Sequence, residues 1–330
     1  MRRGGFSFVA LLIAVAIVAA AAVAIVVVFR TDTRGTAGSG LGKDFTYDVS
    51  AFRKVDPALV KYREVRSIPV GLDGVGGLAR DGAGRLYVAA DGKVRILDAS
   101  GAVLSDIATR GRARCVAVDD DGTLFVGVFD HIEVYDPKGK LKASWKPPDK
   151  DAFITGIALA EENVFAIDPG AAVVYRYDRS GKLLKRIGRK DSERNIPGLV
   201  FPSLHGDLAV GPEGLLWVTN CGRFRVEGYT FDGDLEVHWG KRGFGIEGFC
   251  GCCNPTNLAI LREGLFVTSE KGIPRVKVCD LEGKVVEVVA PPGVFDKDAV
   301  DLDLATDPDG RVYVLDPETS TIRVFERSAR

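Results

Sequence analysis

Three of the six cysteines in this 330-residue chain fall within four positions, Cys250, Cys252 and Cys253 in the string FCGCCNPTN. Thiolates are soft ligands, so such a group suits zinc or an iron–sulfur cluster, or a redox function. An even cysteine count in an oxidising compartment suits disulfides equally well, with Cys221 as the natural partner of Cys250, Cys252 or Cys253. Adjacent cysteines chelate one tetrahedral ion awkwardly, and free structural thiols are the third reading. Histidine is scarce, with only His131, His205 and His238. Asp207, Asn257 and Asp303 supply oxygen ligands of the kind calcium takes, or simply polar groups that hydrate a channel and cap exposed amides. No serine-nucleophile elbow, phosphate loop, zinc-protease helix or nucleotide fingerprint occurs.

These groups have to be carried by something, and the composition divides the chain in two. Positions 6–29 are apolar except for Ser7. At 1.5 Å per residue this run covers about 36 Å, enough to cross a hydrocarbon core of about 30 Å. It lacks a small-x-small cleavage site at its end, so it reads as an uncleaved single-pass anchor rather than a removed signal. Arg2 and Arg3 precede it in a basic segment, 1–5, and bias the N-terminus to the cytoplasm. The body is then extracytoplasmic, periplasmic in a bacterium. Residues 30–61 read as a tether and lead-in. A net charge of −1 over the chain excludes a basic nucleic-acid binder. Glycine, 39 of 330, is well above the usual share of about 7% and argues for many tight turns rather than helices.

A repeat runs through residues 62–330. The segments GLARDGAGRLYVAAD from Gly77, CVAVDDDGTLFVGVFD from Cys115, GIALAEENVFAIDP from Gly156, DLAVGPEGLLWVTN from Asp207, NLAILREGLFVTSE from Asn257 and DLATDPDGRVYVLD from Asp303 align on one alanine each. These are Ala79, Ala117, Ala158, Ala209, Ala259 and Ala305. Each segment alternates, turns at Gly or Asp, and is followed by a third alternating stretch such as HIEVYDPKG. Alternation with turns every 8–12 residues predicts short antiparallel strands. Units of about 40 residues with four strands each predict an all-β, six-bladed β-propeller following the single transmembrane helix. The last unit ends after three strands, and YREVRSIPV, residues 62–70, supplies the fourth to close the ring.

The recurring pattern resembles the NHL-repeat family of propellers over residues 62–326. The strings FCGCCNPTN, FTYDVSAFRKVDPALV and TSEKGIPRVKV are similar to those of exported, membrane-anchored bacterial members of that family. The resemblance implies protein or ligand binding and brings no activity with it. In a propeller of this connectivity the lead-in to each inner strand and the turn between second and third strands share one face, at the mouth of the central channel. The long loops before the fourth and fifth units lie there. Cys115, His205, Asp207, Asn257, Asp303 and Glu270 are therefore the candidate ligand-binding residues at the mouth. Cys221, Cys250, Cys252 and Cys253 are the candidate metal or disulfide residues. The expected role is a ligand- or protein-binding scaffold, with a zinc, iron–sulfur or redox function at the cysteines as the alternative. A divalent-cation hydrolase or lyase, with calcium at the channel, is the weaker one. The expected partners are the membrane, through the helix, and a protein or small ligand on the loop-rich face.

Overall fold

The computed structural model describes residues 48–150 and 152–328, together with Ile17. The basic segment, the expected anchor at 6–29 and the tether up to residue 47 lie outside the described residues, apart from Ile17. Among the described residues no helix is long and apolar enough to cross a membrane. Val49–Arg330 forms one compact unit.

The strands arise from alternating segments punctuated by a recurring turn. Aspartates 98, 136, 178, 280 and 307 each accept, through Oδ1, the backbone N–H groups two and four residues on. The glycine three residues after each has a positive φ, between 78° and 90°. Aspartate supplies a local acceptor for the turn, and glycine supplies a backbone conformation that side chains resist.

The first described strand, β1 (Tyr62–Pro69), is followed by β2 (Gly77–Arg80), β3 (Leu86–Leu97), β4 (Val103–Val118), β5 (Leu124–Val128), β6 (His131–Tyr135) and β7 (Leu141–Trp145). Strands β2 to β7 form one six-stranded sheet in sequence order. A second sheet contains β8 (Gly156–Ala160), β9 (Asn163–Asp168), β10 (Val173–Asp178) and β11 (Leu183–Ile187). A third contains β12 (Leu208–Val210), β13 (Leu216–Asn220), β14 (Arg225–Tyr229) and β15 (Leu235–Trp239). The fourth consists of β16 (Asn257–Ile260), β17 (Phe266–Glu270), β18 (Arg275–Cys279) and β19 (Val285–Ala290). The last is built from β20 (Asp303–Thr306), β21 (Val312–Asp316) and β22 (Thr321–Arg327), with β1 on its outer edge.

The fold is an all-β propeller, but it has five hydrogen-bonded sheets where the repeat predicts six separate blades. The difference lies in β3 and β4. β3 runs without a break from Leu86 to Leu97 through Gly92, whose φ is 75°. β4 then runs from its pairing with Lys93–Leu97 straight on to its pairing with Leu124–Val128. The short link between the two halves stays extended because Arg112 pairs with Asp91, backbone to backbone and by an ion pair of 2.9 Å. The inner positions of β2, the end of β4, β8, β12, β16 and β20 surround the central channel.

Both ends of the described chain meet in the last sheet, where β1 runs antiparallel to β22 from Tyr62 opposite Arg327 to Pro69 opposite Thr321. This covers the edge that β22 would otherwise expose. The lead-in is also docked: Val60 bridges to Val288, and Val55 and Leu59 pack beside Trp239 and Phe266. The core lies between adjacent sheets, with Trp217 edge-on to Phe266 at 4.5 Å and Trp145 against Tyr177 at 5.7 Å. Each such side chain contributes about 1.5–3 kcal/mol by burial, so the sheets hold one another rather than standing alone.

Candidate functional site

Two residues before each anchor alanine stand Gly77, Cys115, Gly156, Asp207, Asn257 and Asp303. Here the inner strands come very close. A Cβ on Gly77 would fall 2.6 Å from Cys115 Cα, and one on Gly156 would fall 2.7 Å from Asp207 Oδ1. The polar members stitch one sheet to the next. Asp207 accepts from the Leu208 N–H and from the Leu258 N–H of the neighbouring sheet, both at 2.8 Å. Asn257 donates to Asp303 Oδ1 at 3.2 Å, and Asp303 Oδ2 accepts from the Leu78 N–H at 2.6 Å. Asp303 therefore joins the last inner strand to the first.

Both carboxyls lie deep in the ring, and burial raises their pKa values. Asp207 is carried well above the usual range, first by desolvation and then by the charge of Asp303. Burial pushes Asp303 up to about 6 against the pull of the Leu78 N–H. This counts against calcium here: their oxygens are already engaged by backbone N–H groups and the Asn257 side-chain amide, whereas calcium takes six to eight oxygen ligands. Among the described residues no group of three or more His, Cys, Asp or Glu side chains is placed to hold a metal ion. Cys115 is buried in the same belt, and burial raises its thiol far above the ordinary value. It packs as a small apolar side chain.

Directly beside the belt is a small cavity of about 20 Å³, lined by Gly76, Arg114, Thr155, Leu204, His205, Gly206, Thr256, Asn257 and Asp301. His205 Nδ1 and Asp301 Oδ1 share a hydrogen bond that joins the loops before β12 and β20. Thr155 donates to the Gly206 carbonyl at 2.6 Å, and Arg114 lies over the Phe153 ring at 5.0 Å. Phe153 meets Phe129 edge-on at 4.9 Å. Phe129, Val200, Leu204 and Val300 are exposed on the lead-ins and turn of this face. The repeat pattern overlooked Asp301 and Arg114. The position four before each anchor alanine reads Val75, Ala113, Ile154, His205, Pro255 and Asp301, so its two polar members could have been singled out as a pair.

Glu270 is not at the mouth. It is fully buried, with Arg275 at 2.7 Å and Lys277 at 3.0 Å, and accepts the Cys250 N–H at 3.1 Å. Arg275 also donates to the carbonyls of Phe244, Gly245 and Gly248, and Lys277 to those of Ile246 and Gly248. The triad therefore clamps the loop that carries the cysteines. The sequence neighbour of Glu270, Lys271, points elsewhere, to Ser203 Oγ at 3.4 Å.

All six thiols are unbridged, so the expected staple from Cys221 to the cysteine string is not formed. The four-thiol zinc or iron–sulfur site is not assembled either. Cys250 Sγ donates to the Lys271 carbonyl at 3.3 Å, and Cys221 Sγ donates to the His205 carbonyl at 3.5 Å. Cys252 and Cys253 do meet, with Sγ atoms 3.1 Å apart. His131 lies between Asp130, at 2.8 Å, and Glu133, and His238 lines a surface groove of about 540 Å³ along β15.

No family model matches the chain, and no curated protein matches it. Solved structures do. A streptogramin B lyase is 12% identical with a TM-score of 0.58, over 83% of this chain and all of its own. The selenomethionine-substituted virginiamycin B lyase from Staphylococcus aureus is 13% identical with a TM-score of 0.54, over 77% of this chain and 81% of its own. A catalytically inactive histidine-to-alanine variant of that S. aureus lyase with quinupristin is 12% identical, TM-score 0.56, over 81% and 99%. At this identity the likeness establishes the propeller fold alone.

Proposed function

We propose that this chain is a membrane-anchored, extracytoplasmic propeller of NHL type that binds a protein or peptide ligand on its mouth face. In this reading the six-stranded sheet counts as two blades fused through β4, giving six. The observation that carries the binding role is the exposed apolar rim, Phe129, Val200, Leu204 and Val300, around the polar centre of Arg114 and the His205–Asp301 pair. Exposed apolar side chains set among a few fixed polar groups support this reading, because exposed apolar patches mark interaction sites. The Asp207–Asn257–Asp303 belt below is already committed to its own hydrogen bonds, which favours a ligand held on the face over one in the channel.

A photo-crosslinking residue at Leu204 in the anchored full-length chain is expected to capture a partner, and one at Leu281, a surface control away from the rim, is not. Equal capture at both positions refutes the reading. Protease added to cells stripped of any outer membrane but with an intact inner membrane is expected to digest the body; protection there would refute the extracytoplasmic placement. A lyase is the second reading, favoured by one observation: His205 is oriented by Asp301 at the mouth, as a general base would be. Consumption of a streptogramin B by the native chain but not by His205→Ala would replace the binding reading with this one.

A further inference from the structure

Cys252 is exposed, while Cys115, Cys221, Cys250, Cys253 and Cys279 are all buried. Its Sγ lies 3.1 Å from that of Cys253, already within the reach of a hydrogen bond. The flanks of this pair are held rigidly. On one side Cys250 is fixed by Glu270 and by the Lys271 carbonyl; on the other Asn254 donates to the Cys250 and Lys271 carbonyls at 2.7 and 2.9 Å. Gly251 has a φ of 70°, so the chain turns sharply and presents Cys252 outward.

We infer that Cys252 and Cys253 form a dithiol–disulfide couple that exchanges with external thiols and disulfides through Cys252, a function separate from ligand binding at the mouth. Neighbouring Cα atoms are about 3.8 Å apart, less than the roughly 4.4–6.8 Å that a disulfide normally spans, so a bridge between them is strained and readily reduced. Strained, exposed bridges are the labile ones. The thiol of Cys252 is raised above its ordinary value first by the hydrogen bond it shares with Cys253, and Lys271 acts in the opposite sense.

The reaction balances with a small-molecule disulfide as oxidant. The Cys252 thiolate attacks one sulfur, and the first thiolate leaves with the proton that Cys252 gave up. Cys253, losing its own proton, then attacks Cys252 Sγ and releases the second thiol. Two cysteine thiols become one bridge, and one external disulfide becomes two thiols, with two electrons and two protons transferred.

The test treats the full-length chain in detergent with oxidised glutathione, alkylates the remaining thiols and maps the peptides by mass. The expected result is the joint loss of two of six thiols, mapped to one bridge between Cys252 and Cys253 and reversed by reduced glutathione. In Cys253→Ser a single glutathione adduct on Cys252 is expected. Six thiols surviving oxidation, or a bridge mapped from Cys221 to Cys253 or Cys250, overturns the inference, and the native-chain mapping decides this even if the variant misfolds.

Discussion

Asp303 carries a charge that the folded ring disfavours, and replacing it with asparagine gives a measurable consequence. In the unfolded chain its carboxyl titrates near 3.8, and in the folded ring near 6. The folded state therefore holds the proton more tightly, so this group's contribution is fully present below about pH 3.8 and is lost as pH rises through 6. At about 1.4 kcal/mol per pH unit the whole loss is about 3 kcal/mol, of which about 2 kcal/mol falls between pH 4.5 and 7.5. Asp207, raised in the same direction and partly by Asp303 itself, adds to the slope. Carboxylates with the opposite shift, such as Asp106, held down to about 2 chiefly by Arg95, act mainly below this window. Asp303→Asn keeps an oxygen for the Leu78 N–H and has no charge to lose. Urea unfolding followed by tryptophan fluorescence should show the native chain weakening by about 2 kcal/mol relative to the variant from pH 4.5 to 7.5. Parallel pH profiles for the two proteins would refute the placement of a desolvated carboxylate in the belt.

Gly77→Ala brings a Cβ against the Cys115 backbone, which has no rotamer to escape into; thermal denaturation should show a loss of about 1–3 kcal/mol. Glu270→Gln leaves Arg275 and Lys277 buried without a counter-charge; a loss of about 3–5 kcal/mol, with faster proteolysis within residues 241–253, is expected. Ile68→Ala, in the closing strand and packed with Val70, Leu315 and Ile322, should cost about 2–4 kcal/mol in urea unfolding if β1 closes the ring.

The strands and turns of this protein were legible in the sequence because their determinants are local. An aspartate such as Asp178 satisfies N–H groups only two and four residues away, and the glycine that completes the turn is Gly181. The six belt positions were legible too, since the anchor alanine fixes their offset. What the belt residues do was not. Asp207 and Asp303 look like cation ligands until the neighbouring sheet brings the Leu258 and Leu78 N–H groups to them.

The mouth pair shows the limit most clearly. His205 and Asp301 are 96 residues apart, and only the curvature of the ring puts their side chains together. Glu270 sits beside Lys271 in the chain, yet alternation along the strand directs it inward to Arg275 and Lys277. The four cysteines form no common site for the same reason: backbone carbonyls and buried charges, set by packing, claim Cys221 and Cys250 separately. Local hydrogen bonding and alternation, which act over a few residues, are written in the sequence; which sheet faces which, and therefore which polar groups are already satisfied, is decided only when the ring closes.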